Sequence, residues 1–387
     1  MLIISHTSYL YLFLLLSITM YTALKKACQL HGWIFEISEE LLACITAKSK
    51  GDMRLYNYRD DLHAERNHLL LVKCRGLVVR ENGQILNYPF DRFFNEWEKE
   101  RAEIDWSTAE IQEKIDGSLI CVFWYDDNWE ITTRGSFYPN KDAETDFAEL
   151  FKKHFSDFDK LDKTYCYMFE LVTKQNIIVT HYENEAVYLI GARNLKTLKE
   201  ISGKALDDMA VLLGVLRPRR FSAKNTEECR KLFELFREDE EGLVLMDAGF
   251  NRVKIKQDSY IKLSRIKMLN KQDLFNHILG SEAIDAEYLA RLPEVQKEIS
   301  LMKIKWDNVL FKAASTFQHI KNKSKGTDAS QRREASKHAG INQQRKEFAM
   351  EALKYPYSSL LFAMLDGKDF RTLNLRWDTI EILSDAK

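Results

Sequence analysis

Residues 112–120 read Gln-Glu-Lys-Ile-Asp-Gly-Ser-Leu-Ile and place a lysine, an aspartate and a glycine directly ahead of an apolar run. In an extended segment, residues two apart share a face, so we expect Lys114 and Asp116 to project to the same side while Ile115 points into the protein. Gly117 permits a tight turn or a close backbone approach to a ligand.

The residues that follow predict two paired strands. An apolar run spans 119–125 and a second strand pattern spans 129–133, with three polar residues between them. A lysine in this setting can act as a covalent nucleophile if burial or neighbouring cations lower its pKa, which is ordinarily about 10.4. The alternative is a surface lysine and aspartate near a turn, because so short a motif recurs by chance.

The composition indicates a globular intracellular protein. The chain has 387 residues, of which 45% are hydrophobic and 12% aromatic, enough for two or three domains with their own cores. A net charge of −1 indicates no particular partner. The six cysteines include no Cys-x-x-Cys pair, so we predict neither a zinc site nor a disulfide framework, and a reducing compartment fits best.

The N-terminus is strongly apolar and leaves two interpretations open. Residues 1–24 carry no acidic or basic residue except His6. Such a segment can be a signal anchor or a short membrane span. It lacks a basic leading region, however, and an amphipathic helix pattern begins at Met20. We therefore favour translation from Met20, with residues 1–19 as an apolar leader that is not translated.

Polar residues recur inside or beside later strand patterns. Arg75 starts a predicted hairpin beside a glycine, where it is either a phosphate ligand or a structural arginine. Glu170 lies in a strongly apolar strand pattern, so it is expected to face a polar cleft, a metal or a ligand hydroxyl. Glu241 precedes a glycine and a buried strand. Lys254 and Lys256 share one strand face about 6–7 Å apart. They form either a phosphate-binding site or part of a solvated edge strand.

Helical patterns dominate after Tyr260. They span residues 271–279, 301–319, 342–354 and 357–365. The polar stretch 321–340 predicts a mobile connector between them. These patterns favour a separate helical domain.

In their order along the chain, these motifs resemble the covalent nucleotidyltransferase superfamily, and most closely the RNA ligases of the T-even phage type, which repair cut tRNA. The matching residues are Cys74-Arg75-Gly76, Phe93-Phe94-Asn95, Lys114-Ile115-Asp116-Gly117-Ser118, Phe169-Glu170, Glu241-Gly242 and Lys254-Ile255-Lys256. The sequence departs from the family at Arg92 and Arg134, where the family has lysine. Charge is kept there, but a planar fork replaces a point charge.

The resemblance implies an α+β fold in two domains. Residues 20–262 would form an adenylyltransferase (ligase) domain of antiparallel sheets flanked by helices. Residues 263–387 would form an all-helical C-terminal domain.

The resemblance also implies ATP-dependent RNA ligation in three steps, with Mg²⁺ as the cofactor and Mn²⁺ as a substitute. Lys114 would attack the α-phosphorus of ATP to give a lysyl adenylate. The AMP would pass to an RNA 5′-phosphate, and a 3′-hydroxyl would then displace it to form a phosphodiester.

The family pattern assigns the remaining roles. Lys254 and Lys256 would neutralise the α-phosphate and help to keep Lys114 unprotonated. Glu170 would bind the ribose, and Glu241 would hold the metal. The other residues expected at the nucleotide are Arg75, Arg92, Glu113, Asp116 and Gly117, of which the two arginines would hold phosphates.

Two alternatives remain at this stage, an mRNA-capping guanylyltransferase and a catalytically inactive RNA-binding relative. The expected partners of a ligase are RNA 5′-phosphate and 3′-hydroxyl ends, with nicked tRNA as a candidate substrate and an end-healing kinase/phosphatase as a candidate partner. No stable membrane partner is expected, and the expected location is cytoplasmic or nuclear unless residues 1–19 act as a membrane anchor.

Overall fold

The computed structural model describes residues 21–33, 37–59, 66–138, 145–326 and 337–385. The predictions for residues 1–19 therefore concern a segment outside the described residues. No helix in the described part of the chain is long and apolar enough to cross a membrane. The chain divides into two compact units, and the division falls after Ile261.

The first sheet of the N-terminal unit is antiparallel and has the order β1-β2-β3-β4. Its strands are β1 (Ile45–Lys50), β2 (Met53–Tyr58), β3 (Arg75–Arg80) and β4 (Ile85–Asn87). Three helices accompany it: α1 (21–30), α2 (Glu39–Ala43) and α3 (Leu69–Lys73). Leu24, Tyr56 and Leu77 are completely buried in the core that these elements share, and this packing fixes the strand that carries Arg75.

The second sheet has the order β11-β10-β9-β7-β8 and is also antiparallel. Its strands are β7 (Ser118–Tyr125), β8 (Asn128–Thr133), β9 (Tyr165–Val172), β10 (Ala186–Asn194) and β11 (Glu200–Ile201). Two amphipathic helices, α4 (Phe147–His154) and α5 (Gly203–Leu213), bury Phe151 and Leu206 against it. The predicted hairpin after Gly117 is thus the pair β7–β8.

The third sheet has the order β12-β6-β13-β14-β5. Its strands are β5 (Phe94–Asn95), β6 (Glu110–Lys114), β12 (Arg220–Phe221), β13 (Gly242–Met246) and β14 (Arg252–Lys256), with α6 (Thr226–Lys231) nearby. Ile111, Leu243 and Ile255 are buried on one face in a cluster with Cys229 of α6. Alternation along the strands therefore places Lys114, Lys254 and Lys256 on the opposite face.

The turn between β13 and β14 is held by Asp247. This carboxylate is buried and accepts hydrogen bonds from the backbone N–H groups of Gly249 and Asn251 at 2.9 and 3.0 Å. The Asn251 side chain donates to it at 3.0 Å and the Asp105 backbone N–H at 3.2 Å. These four bonds fix the length and shape of the turn.

A buried ionic cluster connects the second and third sheets. Glu200 of β11 forms ion pairs with Arg193 of β10 and Arg252 of β14, and all three side chains are less than a tenth exposed. The Arg252 guanidinium carbon also lies 4.3 Å from the centre of the Phe90 ring. A single carboxylate thus balances two buried guanidinium groups.

The C-terminal unit is helical. Its helices are α7 (Asp258–Lys267, which starts in the first unit), α8 (Lys271–Leu279), α9 (Ala286–Leu289), α10 (Pro293–Gly326), α11 (Lys337–Ala352), α12 (Ser358–Asp366) and α13 (Trp377–Asp385). The rings of Trp306 and Trp377 each lie 5.5 Å from that of Phe275, centre to centre. The predicted connector 321–340 is helical at both ends, and its middle, 327–336, lies outside the described residues.

The α+β class predicted from the sequence is confirmed, since helices accompany sheets that are antiparallel except for the short β5–β14 pair. The segment of residues 176–181, between β9 and β10, forms no strand. Its backbone N–H groups at Val179 and Thr180 donate to the Asp116 carboxylate instead of to a neighbouring strand.

Candidate active site

A cavity of about 590 Å³ is lined by residues of all three sheets. Cationic side chains line part of it, including Arg75, Lys114, Lys254 and Lys256. Apolar side chains such as Val244 line another part. A cavity of this size and mixed character suits a ligand with an anionic portion and a flat apolar portion.

The strand register places the central charges in one row. Lys114 of β6 pairs with Gly242 of β13, which pairs with Lys256 of β14. Glu241, directly before Gly242, lies between the two lysines: its Oε2 is 2.5 Å from Lys114 Nζ and its Oε1 is 2.7 Å from Lys256 Nζ. The Glu241 side chain is only 5% exposed. One buried carboxylate therefore binds two ammonium groups.

The electrostatics of this row differ from the expectation that Lys254 and Lys256 keep Lys114 neutral. Burial acts to lower the pKa of Lys114, but the nearby carboxylates, led by Glu241 and Glu170, outweigh it and raise the pKa above its ordinary value. Burial acts to raise the pKa of Glu241, but Lys114 and Lys256 hold it below its ordinary range. The carboxylates around Lys114 therefore favour its cationic form.

Lys254 is the lysine whose pKa is depressed. Burial lowers its pKa to about 8, and the positive charges of Lys114 and Lys256 act in the same direction. Its ammonium lies 5.6 Å from the centre of the Phe93 ring. An anion bound here would raise the pKa of Lys254 back toward its ordinary value.

Arg75 carries an unsatisfied donor. Its Nη1 is buried and has no hydrogen-bond partner among the described residues. The guanidinium carbon lies 5.6 Å from the Phe93 ring centre, and burial lowers the pKa of the group. A buried donor without a hydrogen-bond partner destabilises the folded state. An unpaired guanidinium N–H at the cavity wall therefore suits an anionic ligand such as phosphate.

Glu170 of β9 lines the cavity beside the turn that carries Gly117. Burial raises its pKa to about 7, with Glu241 and Asp116 adding to the effect and Lys114 and Arg75 opposing it. A Cβ atom on Gly117 would lie 2.5 Å from the Leu171 carbonyl oxygen and 3.1 Å from Glu170 Cγ. Glycine is required here because β9 approaches the turn so closely.

Asp116 does not share a face with Lys114, because β6 ends at Lys114 and the aspartate lies in the turn beyond it. Its Oδ2 accepts the backbone N–H groups of Val179 and Thr180, both at 2.8 Å, and its Oδ1 accepts the hydroxyl of Tyr260 at 2.6 Å. The side chain is buried outside the main cavity. The structure therefore gives Asp116 an anchoring position, and its predicted nucleotide contact stays a prediction.

Glu113 lies on the strand face opposite to that of Lys114. It forms an ion pair with Arg219, with 2.7 Å between Arg219 Nε and Glu113 Oε2. The neighbour that shares the Lys114 face is Gln112, but Gln112 and Glu113 both line the cavity, and the nucleotide contact predicted for Glu113 stays a prediction. Strand alternation could have identified Gln112 from the sequence, whereas the motif drew attention to Glu113.

Arg92 and Arg134 both lie against Tyr58. Their guanidinium carbons are 3.9 and 5.3 Å from the centre of its ring. Arg134 and Tyr58 line the cavity, whereas Arg92 is buried outside its lining. Both positions suit arginine, because a planar guanidinium stacks on an aromatic ring better than an ammonium group does. The phosphate contact predicted for Arg92 stays a prediction.

The donor set fits magnesium that binds together with a phosphate ligand. Mg²⁺ is commonly held by one or two carboxylates plus substrate phosphates. Glu241 and Glu170 both line the cavity, and the described residues contain no cluster of three or more metal-binding side chains. These carboxylates, with the lysines beside them, suit a magnesium ion that binds together with a nucleotide.

Comparisons with known proteins identify relatives of this chain. A family model described as RNA ligase matches residues 73–260. An RNA ligase of Rhodothermus phage RM378 is 24% identical over 397 residues, covering 84% of this chain and 87% of that protein. A putative bifunctional polynucleotide kinase/RNA ligase of Autographa californica nuclear polyhedrosis virus is 25% identical over 299 residues, covering 70% of this chain and 42% of that protein.

Solved structures show weaker similarity. A putative ATP-dependent DNA ligase from Aquifex aeolicus has a TM-score of 0.44 at 14% identity, covering 69% of this chain and 72% of that one. An archaeal ATP-dependent RNA ligase has a TM-score of 0.43 at 14% identity, covering 68% of this chain and 76% of that one.

The matched segment begins just before Arg75 and ends at Tyr260, so it includes every motif on which the predicted resemblance depended. Lys114, Glu241 and Lys256, which the sequence separates widely, form one contiguous group within it. Through residues 73–260, just under half of its length, this chain is therefore similar to the RNA ligase family.

Proposed function

We propose that this chain is an ATP-dependent RNA ligase that joins RNA 5′-phosphate and 3′-hydroxyl ends through a lysyl-AMP intermediate and an adenylated RNA 5′ end. The observation that carries the proposal is the group of Lys114, Glu241 and Lys256 at the wall of a cationic cavity. This group places a lysine nucleophile beside the charged side chains that phosphoryl transfer requires.

In the first step, Lys114 Nζ attacks the α-phosphorus of ATP. A nitrogen–phosphorus bond forms, the bond to the bridging oxygen breaks, and pyrophosphate leaves. Lys114 must first release to solvent the proton that its pairing with Glu241 Oε2, at 2.5 Å, stabilises. Lys254, Lys256 and Arg75 bind the phosphates and compensate their negative charge.

Magnesium would be held by Glu241 and would neutralise charge at the transferring phosphoryl group and the leaving group, while Glu170 would bind the ribose. Residues 20–262 would carry this adenylyltransferase chemistry. Residues 263–387 would form a helical domain that contributes to RNA binding.

The substrate would be RNA whose 5′ end is phosphorylated, and nicked tRNA fits this description. The baculovirus relative is named as both a kinase and a ligase. We assign end healing for this chain to a separate kinase/phosphatase. An RNA substrate and six free, buried cysteines favour a cytoplasmic or nuclear location.

The test is to incubate the protein with α-labelled ATP and Mg²⁺ and to measure label bound to denatured protein. We expect wild-type protein to be labelled and Lys114→Ala not to be labelled. The matched control is Lys204→Ala, which changes a lysine 85% exposed on α5 and should label as wild type does. No adduct on wild-type protein, or an equal adduct on Lys114→Ala, contradicts the mechanism.

Nucleotide competition separates the ligase from a capping enzyme. Unlabelled ATP should suppress labelling, whereas unlabelled GTP should not. The labelled protein should then seal 5′-phosphorylated RNA, and wild-type protein should seal pre-adenylated RNA without ATP. Adduct formation without any sealing of RNA ends would contradict ligation while leaving the lysine chemistry intact.

A further inference from the structure

Tyr260 makes two contacts at the candidate active site, one with Lys256 and one with Asp116. Its ring lies 5.3 Å from Lys256 Nζ, and its hydroxyl donates to Asp116 Oδ1 at 2.6 Å. The residue is only 3% exposed. Asp116 follows Lys114 by two residues, and Lys114 shares Glu241 with Lys256. The contacts therefore form a closed circuit that runs from Tyr260 through Lys256, Glu241, Lys114 and Asp116 back to Tyr260.

The backbone alone does not fix the positions of the side chains in this circuit. The register sets the positions of Lys114 and Lys256 at the two sides of β13, but each ammonium group lies at the end of a long, flexible side chain. Asp116 is tied by its other oxygen to the backbone at Val179 and Thr180. Tyr260 is then the side chain that connects this anchored turn to Lys256.

We propose that Tyr260 is a positioning residue for lysyl-AMP formation, which holds the turn after Lys114 through its hydroxyl and holds Lys256 through its ring. This inference rests on the proposed function. The hydroxyl acts on the nucleophile, whereas the ring acts on a lysine that binds the nucleotide. The two contacts should therefore affect different kinetic quantities.

The hydroxyl is suited to this role. Burial raises the pKa of Tyr260, and the negative charges of Glu241 and Asp116 act in the same direction. The group therefore remains a hydrogen-bond donor throughout the pH range of an assay. The aromatic ring lies beside Lys256. A cation over an aromatic face is attracted by the electrons of the ring.

The experiment uses the full chain with Tyr260→Phe and Tyr260→Leu. Tyr260→Phe keeps the ring and removes the hydroxyl, so we expect lysyl-AMP formation at saturating ATP to slow about 100-fold, as small misplacements of a reacting group do. The ATP concentration for half-maximal rate should stay near that of wild type. Tyr260→Leu also removes the ring, so this concentration should rise about fivefold or more.

The matched control is Tyr167→Phe, which removes a buried hydroxyl that accepts the backbone N–H of Asp162 away from the site. It should leave both kinetic quantities unchanged. Melting temperatures of the three variants report any general loss of stability.

Two results would overturn the inference. One is a Tyr260→Phe protein that reacts as fast as wild type. The other is a pair of Tyr260 variants that change the same kinetic quantity in proportion to their loss of melting temperature, as a purely structural residue would. Failure of wild-type protein to form any adduct would instead overturn the proposed function, and it is measured in the same assay.

Discussion

Lys114 Nζ lies 2.5 Å from Glu241 Oε2, so the nucleophile of the proposed reaction is paired with a buried carboxylate. A neutral amine is needed for attack, yet the carboxylates around Lys114 raise its pKa. The proposed reaction therefore requires nucleotide binding to weaken the pairing of Lys114 with Glu241.

This pairing predicts the order in which lysines react with an acylating reagent. At pH 8, Lys254 should be labelled about tenfold or more faster than Lys114, because the pKa of Lys254 is lowered to about 8 and that of Lys114 is raised. Peptide mapping by mass spectrometry measures both sites. Glu241→Gln should accelerate labelling of Lys114, whereas equal labelling of the two lysines in wild-type protein would contradict the pairing.

Gly117→Ala should destabilise the N-terminal unit by about 1–3 kcal/mol, because the added Cβ would meet the Leu171 carbonyl oxygen at 2.5 Å. Urea denaturation followed by tryptophan fluorescence measures the change. The matched control is Gly135→Ala, since a Cβ there has no atom within 4 Å. If both substitutions cost the same, the close approach of β9 does not explain this glycine.

Glu170→Gln should change how stability depends on pH. The folded protein holds the Glu170 proton up to about pH 7, whereas the unfolded chain releases it near the ordinary value of 4.5. The folded state therefore binds more protons between these values, and this group makes the wild type lose stability as pH rises through that window. The difference in unfolding free energy between variant and wild type should grow in favour of Glu170→Gln from pH 5 to 7 and then level off. A constant difference over this range would contradict the raised pKa.

Glu200→Leu should be strongly destabilising, by about 3–5 kcal/mol, because it leaves the buried guanidinium groups of Arg193 and Arg252 without their counter-charge. Chemical denaturation measures the loss. Asp208→Ala is the control: it breaks the exposed Lys204–Asp208 pair on α5 and should cost at most about 0.5 kcal/mol. Similar losses for the two variants would show that the cluster between the sheets is not important for stability.

The sequence allowed the fold class and the family to be predicted because the motif order and the strand patterns are local features. It did not place Asp116, since β6 ends at Lys114 and alternation no longer applies in the turn. It did not identify Tyr260 either, because a partner 144 residues away is set by the tertiary fold. Arg219 was missed for the same reason, although strand alternation already separates its partner Glu113 from Lys114.

The turn held by Asp247 has a consequence for how insertions and deletions act on this protein. Side chains along β14 alternate between Lys254 and Lys256 on the cavity side and Val253 and Ile255 on the other. If the turn lost one residue and β14 slipped by one position against β13, the cavity would receive the apolar pair and the lysines would enter the core. A length change far from Lys114 would thus replace the two cavity-lining lysines, proposed to bind phosphate, with apolar side chains.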